Sequence, residues 1–223
     1  MMKLDLRKIP FYYINLDNAV DRRNNMEKIL SSLEIENYSR IEAIYNSNGH
    51  LGVSQTFTES LEKLKEIGGP FVILEDDVEL KNWNPIIDIP DDTDAFYLGI
   101  SGWGRMNGHS GPCVQYQNIT DDIIKVSNML TLHAVLYITD EWIEMARKAC
   151  EFAAYKVQAP SGYCDIQVAE CQRWYNIYAF DNPYFYQTSA EGNQRVTYQT
   201  LSEQQLVEIY QPIRQYWLPE PVQ

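Results

Sequence analysis

The sequence predicts a single α/β domain with a mixed sheet whose central strands run parallel. Short apolar runs typical of buried strands alternate with stretches of helical period, which is the pattern of strand–helix–strand units. The chain has 223 residues, 45% of them hydrophobic and 22% charged, and this length and composition suit one sizeable domain. We therefore expect one domain over residues 1–223, with its core at about residues 10–190 and a C-terminal segment, 191–223, wrapping over the surface.

The N-terminal part of the chain predicts a strand, a helix and a second strand. Residues 10–16, PFYYINL, form a compact apolar run enriched in aromatic residues, which favours a buried strand. An Asp/Asn-rich turn follows, and the apolar residues of 17–34 then recur at helical spacing. The partly alternating segment 38–46 predicts the second strand.

A second helix and a third strand come next. Thr56 and Glu59 match a capping box, which predicts that the helix begins there. The sequence Gly68-Gly69-Pro70 predicts its end, and FVIL at 71–74 predicts the third strand. The apolar face of the helix is predicted to contain Phe57, Leu61, Leu64 and Ile67.

The rest of the chain continues the same alternation. Residues 94–100 and 132–138 read as strands, and Thr139-Asp140-Glu141 is typical of a helix start. A turn and Asp165 open a short helix, and residues 176–180 predict the last strand. Strands separated by helices of this length indicate parallel pairing in the middle of the sheet.

The composition excludes several classes of partner. Eighteen basic and 31 acidic residues give a formal charge of −13, which repels nucleic acid and anionic lipid. No segment approaches the roughly 20 apolar residues of a membrane helix, and the N-terminus does not match a signal peptide. We expect a cytoplasmic protein without a transmembrane segment, free or peripheral to the inner membrane, from a bacterial or viral source.

Three consecutive carboxylates, Glu75, Asp76 and Asp77, directly follow the third strand. In open parallel sheets, ligands bind beyond the carboxyl ends of the strands. Three adjacent anions at such a position require positive charge, and no basic residue precedes Lys81 closely in the sequence. A hard divalent cation with oxygen ligands is one compensation. The alternative is a solvated acidic turn, and the triplet alone leaves both open.

The order of motifs resembles glycosyltransferase family 25, the lipopolysaccharide and collagen-type galactosyltransferases. The resemblance spans roughly residues 10–190 and depends on the ordered set, since no single motif is specific. The motifs are Ile14-Asn15-Leu16 followed by Asp21-Arg22-Arg23, Gly52-Val53-Ser54-Gln55, Ile73 to Asp77, and His133 to Thr139 with the later Asp165. The family has His where this chain has Gln55.

This resemblance implies a GT-A fold, Rossmann-like in its strand–helix alternation, and an inverting glycosyltransferase. The implied donor is a UDP-sugar, with galactose favoured and glucose next, and the implied cofactor is Mn²⁺ or Mg²⁺. The hexose would pass to a hydroxyl of an oligosaccharide or lipid-linked glycan. Neither the linkage nor the oligomeric state follows from the motifs.

The expected site residues combine the matched motifs with their positions at strand ends. Along the nucleotide we expect Asn15, Arg22 and Ser54, with Glu42 or Ala43 near the base. On the metal we expect Asp77, with Glu75 or Asp76 assisting directly or through water.

An inverting transfer also needs a general base that is not a metal ligand. Asp165 is the first candidate because it opens a helix near the strand ends and matches the family's downstream Asp; Glu191 is the reserve. The alternative role for Asp165 is a helix cap.

Three further residues keep alternatives open. Gln55 departs from the family and leaves open a second hypothesis, a catalytically inactive carbohydrate- or nucleotide-binding module. Trp103, flanked by glycines, either stacks on a sugar or packs under a loop. His133 lies within an apolar run and is predicted to be a hydrogen-bonded core histidine.

Overall fold

The computed structural model of the chain describes residues 1–111, 113–156 and 163–187. Its α-helices in these ranges are α1 (Val20–Ser32), α2 (Gly49–Lys65), α3 (Asp140–Lys156) and α4 (Cys164–Cys171). Short 3-10 helices cover Leu6–Lys8 and Gln172–Trp174. The strands are β1 (Met2–Asp5), β2 (Phe11–Asn15), β3 (Tyr38–Glu42), β4 (Phe71–Glu75), β5 (Val78–Leu80), β6 (Ile86–Ile89), β7 (Ala95–Tyr97), β8 (Gly104–Met106), β9 (His109–Gly111), β10 (Tyr116–Asn118), β11 (Ile123–Val126), β12 (Ala134–Tyr137), β13 (Ile177–Phe180) and β14 (Phe185–Gln187).

Eight strands form one mixed sheet in the order β10-β11-β13-β7-β12-β4-β2-β3. The pairs β2–β3, β2–β4 and β7–β13 are parallel. The mixed α/β fold predicted from the sequence is confirmed. The wrapping segment 191–223 lies outside the described residues, and the single-domain boundary stays a prediction.

The centre of the sheet differs from the prediction. Strand β12 lies between β4 and β7 and is antiparallel to both, so parallel pairs flank an antiparallel central strand. The chain leaves β7 at its carboxyl end and, after residues 98–133, enters β12 from that same edge. The apolar run at 132–138 correctly predicted a strand, but an apolar run carries no information about direction.

Two apolar cores cover the two faces of the sheet. Strand β4 contributes Phe71 and Ile73 to one core and Val72 and Leu74 to the other, which explains its unbroken apolar sequence. Helices α2 and α3 pack on the first face, and α1 packs on the second. The chain moves from β2 to β3 on one side and then from β3 to β4 on the other side of β2. The connecting helices, α1 and α2, therefore lie on opposite faces of the sheet.

Helix α2 begins a full two turns before the predicted start. Its N-cap is Asn48, whose side chain accepts from the backbone N–H of Leu51. Thr56 lies inside the helix, where its hydroxyl donates to the Gly52 carbonyl and accepts from the N–H of Ile44. The predicted apolar face is buried except at its last member, Ile67, which is 67% exposed because it lies beyond the helix end.

A cluster of ion pairs joins α2 to α3. Glu144 accepts from Lys65 at 2.8 Å and from Arg147 at 3.0 Å, and Lys148 lies 3.2 Å away. The hydrogen bond from Arg147, followed by that from Lys65, holds the pKa of Glu144 well below its ordinary value of 4.5. The stability that this group contributes is therefore present above about pH 4.5 and is lost as the pH falls further.

Replacing Glu144 with Gln is expected to lower the free energy of unfolding by about 1 kcal/mol at pH 7. The deficit should shrink as the pH falls below about 4.5, because the unfolded wild-type chain then binds a proton at Glu144 while the folded chain keeps the carboxylate charged. Urea denaturation across this pH range measures it. The control is Glu59→Gln, which removes an exposed pair with Lys63 at 3.8 Å and should change stability by less than about 0.5 kcal/mol. Equal effects of the two substitutions would contradict the assignment.

Candidate active site

The carboxyl ends of β2, β3 and β4 meet at one edge of the sheet. The chain leaves β2 towards β3 on one side, and β4 lies on the other side. The edge between β2 and β4 is thus a topological switch point, where open α/β sheets bind ligands. A cleft of about 290 Å³ opens there.

Several elements contribute to this cleft. It lies between the ends of β2 and β4, the loop that follows β3 and the first turns of α2. The lining residues are Ile14, Asn15, Leu16, Arg22, Ala43, Ile44, Tyr45, Asn46, Gly49, Gly52, Val53, Thr56, Phe57, Glu75, Asp76 and Asp77. Of the residues predicted from the sequence, the fold brings together Asn15, Arg22, Ala43, Glu75, Asp76 and Asp77.

Asp76 forms an ion pair with a residue that is distant in the sequence. Arg22 Nη1 lies 2.9 Å from Asp76 Oδ1, and Asn15 Nδ2 donates to Asp76 Oδ2 at 2.6 Å. Part of the positive charge that the triplet was expected to require therefore comes from Arg22, which lies 54 positions away along the chain. The parallel pairing of β2 with β4 places the start of α1 beside the triplet.

Asn15 itself is buried, and its amide is fully engaged. It donates a second hydrogen bond to the carbonyl of Ala19 at 3.0 Å and accepts one from Arg23 Nε at 3.3 Å. These contacts tie the end of β2 to the start of α1. Asn15 therefore orients Asp76 and the turn before α1.

The carboxylates of Glu75 and Asp77 converge on Gln187 in β14. Gln187 Nε2 donates to Glu75 Oε2 at 3.0 Å and lies 3.3 Å and 3.4 Å from the two Asp77 oxygens. The antiparallel pair β5–β14 brings Gln187 opposite Val78. The sequence contains no local signal for this contact, because the partners are more than a hundred residues apart.

Burial and mutual repulsion change the acidity of this pair. Burial, then the charges of Asp77, Asp165 and Asp76, raise the pKa of Glu75 well above its usual range, while Arg22 acts in the opposite direction. Burial likewise raises the pKa of Asp77 to about 6, against the opposing effect of Arg22. Both carboxylates are thus placed where additional positive charge would stabilise their ionised forms.

The residues present fit a divalent cation that shares its coordination with a ligand. In the described part of the chain, no group of three or more His, Cys, Asp or Glu side chains is arranged to hold a metal ion. Mg²⁺-type cations in nucleotide sites use only one or two carboxylates, and substrate phosphates and water complete the shell. Glu75 and Asp77 supply two carboxylates that are close enough to share the Gln187 amide as a hydrogen-bond donor. This pair is sufficient for such a cation.

Asp165 lies in the first turn of α4. The N-cap of α4 is Tyr163, so Asp165 does not occupy the N-cap position, but its Oδ1 accepts from the N–H of Ile166 at 2.8 Å and stabilises the first turn. Burial raises the pKa of Asp165, and the Ile166 hydrogen bond and the charge of His50 oppose that rise. Since Asp165 also raises the pKa of Glu75, the two carboxylates lie within electrostatic range of each other.

His50 is a residue that the sequence reasoning missed. Its ring stacks on that of Tyr163, with centroids 3.7 Å apart and planes inclined by 22°. This contact joins the first turn of α2 to the residue that precedes α4. The feature of the sequence that could have identified it is Asn48, because an N-cap at this position places His50 in the first turn of α2.

Other predicted residues lie elsewhere. Glu42 is exposed and pairs with Arg40 at 3.6 Å. Ser54 is completely buried, and its hydroxyl has no hydrogen-bond partner among the described residues; neither side chain lines the cleft. Glu191 lies outside the described residues, so its role stays a prediction.

His133 is the core histidine that the sequence predicted. It is buried, bonds through Nδ1 to the Thr131 hydroxyl and lies 3.5 Å from the Phe185 carbonyl through Nε2. Burial lowers its pKa to about 4, so it is neutral at pH 7. Trp103 is 48% exposed, and its stacking on a sugar stays a prediction.

Gly52 lies on the face of α2 that packs closely against the loop after β3. A Cβ at this position would lie 2.6 Å from the Ile44 carbonyl oxygen, so Gly52→Ala must displace backbone. We expect it to lower the free energy of unfolding by about 1–3 kcal/mol, although alanine favours a helix by about 1 kcal/mol. Gly49→Ala is the matched control, since its Cβ would meet nothing within 4 Å. Equal urea midpoints for both variants would refute the close-packing argument.

Comparisons with known proteins leave the family open. No protein-family model matches the chain, and no curated protein matches it. Among solved structures, the chain is similar to a nucleoside-diphosphate-sugar pyrophosphorylase from Vibrio cholerae RC9, with 18% identity over 78% of this chain and 73% of that one. The TM-score is 0.43, too low to support a conclusion about fold or function.

Among the described residues, no helix has the length and apolar character needed to cross a membrane.

Proposed function

We propose that the protein is a metal-dependent, inverting glycosyltransferase of the GT-A type, similar to family 25. It would transfer a hexose, galactose before glucose, from a UDP-sugar to a hydroxyl of an oligosaccharide or lipid-linked glycan. The observation that carries the proposal is the cleft at the β2–β4 switch point, which combines Arg22 and Asp76 with the buried pair Glu75 and Asp77. The ordered family 25 motifs lead to the same edge of the sheet.

The donor diphosphate would bind between the acidic triplet and the first turn of α2. Backbone N–H groups at a helix start favour anions, and Arg22, which is 39% exposed, has further N–H donors besides the one that Asp76 accepts. The hydrogen bond from Asn15 holds Asp76 against Arg22, and the ion pair of Asp76 with Arg22 in turn holds the guanidinium at the cleft.

Glu75 and Asp77 would hold the cation, and Gln187 would keep the two carboxylates together. A bound Mn²⁺ or Mg²⁺ would supply Lewis-acid stabilisation of the charge that develops on the diphosphate. The side chains of the protein would carry out the proton transfer. Asp165 would accept the proton of the attacking acceptor hydroxyl at its carboxylate.

The test measures UDP release from UDP-galactose and UDP-glucose, with Mn²⁺ and with EDTA in its place. Many sugar acceptors can be screened in the same assay, and hydrolysis of the donor by water needs no acceptor at all. We expect release that depends on the metal and is faster with UDP-galactose. Failure of the protein to bind or turn over either donor in Mn²⁺ would refute the proposal.

A second candidate is a glycosyltransferase-like module that binds nucleotide or carbohydrate without turnover. The observation in its favour is the Gln187 amide, which donates to both Glu75 and Asp77 and so partly replaces a cation. Gln55, in place of the family's His, points the same way. Nucleotide binding that is insensitive to EDTA, without UDP release, would favour this candidate.

A further inference from the structure

An aromatic side chain at the mouth of the cleft has no role in the site described so far. Tyr45 lines the cleft, and yet 77% of its surface is exposed. Val53, on the first turns of α2, also lines the cleft and is 43% exposed. Together they form an apolar rim on the side of the cleft that follows β3.

The loop that carries Tyr45 is held on both sides of this residue. The N–H of Ala43 donates to the Asn15 carbonyl at 3.0 Å, and the N–H of Ile44 donates to the Thr56 hydroxyl at 2.8 Å. On the other side, the Asn46 side chain accepts from the N–H of Asn48 at 2.9 Å. The backbone at Tyr45 is therefore fixed, while its ring is left open to solvent. A held loop that presents an exposed ring is a preorganised surface for a ligand.

The distance from this rim to the acidic triplet suits one ligand. Tyr45 follows β3 and the triplet follows β4, with β2 between them. Two strand spacings amount to about 10 Å. A ligand that spans this distance would place an anionic end at Arg22 and at the cation held by Glu75 and Asp77. Its planar apolar end would lie about 10 Å away, at Tyr45. A nucleoside diphosphate has this length and this division of character.

We propose that Tyr45 is the stacking platform for the base of a pyrimidine nucleoside diphosphate, with Val53 covering the edge of the ring. This inference rests on the proposed function and specifies which end of the donor lies where. The base occupies the β3 side of the cleft, and the diphosphate occupies the β4 side. Stacking on an aromatic ring recognises the flat face of a base and adds binding free energy independently of the phosphates.

The experiment measures equilibrium binding of UDP, uridine and inorganic pyrophosphate by calorimetry in Mn²⁺. Tyr45→Ala is expected to weaken UDP and uridine binding about tenfold, because stacking is lost. Pyrophosphate should bind as in the wild type. Tyr45→Phe keeps the ring and should stay within about twofold of the wild-type affinity for UDP. Tyr155→Ala removes a tyrosine on α3 that is 81% exposed, and it should change none of the three affinities.

The outcomes separate this inference from the proposed function. Wild-type affinity for UDP in Tyr45→Ala would overturn the stacking role and leave the transferase proposal intact. Equal weakening of UDP and pyrophosphate would also overturn it, because the loss would then come from the phosphate end. Ring-dependent UDP binding without any turnover would support the platform and refute the transferase. No binding of any nucleotide by the wild type would refute both.

Discussion

Asp77→Asn is expected to reduce turnover of a UDP-sugar by about 10²-fold or more and to raise the half-saturating Mn²⁺ concentration at least tenfold. The substitution removes one anionic ligand of the cation but preserves the size of the side chain. UDP release measured against Mn²⁺ concentration gives both numbers. Near wild-type turnover with an unchanged Mn²⁺ requirement would show that Asp77 does not hold the metal.

The same substitution should not destabilise the metal-free protein. Folding raises the pKa of Asp77 from 3.8 to about 6, so its ionised form destabilises the fold, and that penalty appears as the pH rises from about 4 to 6. Removing the charge should therefore keep or increase the melting temperature at pH 7. Loss of activity with a maintained melting temperature separates a functional role from unfolding. The control is Glu79→Gln, an exposed carboxylate two residues further along, which should retain full turnover.

Asp165→Asn is expected to reduce turnover by about 10²-fold with UDP affinity nearly unchanged. Asparagine keeps the oxygen that accepts from the Ile166 N–H, so α4 should begin as before and the melting temperature should stay within a degree or two. Only the basic oxygen is lost. Steady-state turnover, calorimetric UDP binding and thermal melting of the same preparation make up the measurement.

Asp140→Asn serves as the control for Asp165. Asp140 is exposed in the first turn of α3, so it undergoes the same chemical change at the start of a neighbouring helix. It should leave turnover unchanged. If Asp165→Asn loses less than about threefold, Asp165 has no role as a base, and Glu191 becomes the next residue to test.

The elements with strong local signals were predicted well, and their boundaries less well. Strand β4 follows directly from the apolar run at 71–74, because four buried residues between breakers leave few alternatives. Helix α2 was predicted as an element but with the wrong start. Asn48 and Thr56 both suit an N-cap by residue type, and only the packing of Thr56 against Gly52 and Ile44 distinguishes them.

Much of the candidate site was also visible in the sequence. Asn15, Arg22, Ala43 and the acidic triplet all line one cleft, because each lies at or just beyond the carboxyl end of a strand and these ends share one edge of the sheet. Ser54 and Glu42 do not line it. They were chosen by position along the chain, and the direction of a side chain at a helix or strand end depends on the rotation of that element in the fold.

By itself, the sequence determined the alternation of strands and helices, the burial of β4 and the accumulation of carboxylates at its end. These are properties of neighbouring residues, set by apolar periodicity and local chain geometry. The tertiary structure alone decided the direction of β12, the pairing of Arg22 with Asp76 and the convergence of Glu75 and Asp77 on Gln187. The partners in those two contacts are 54 and at least 110 positions apart. Their charges and hydrogen bonds come together only after the order of the strands has been set, and no local pattern encodes that order.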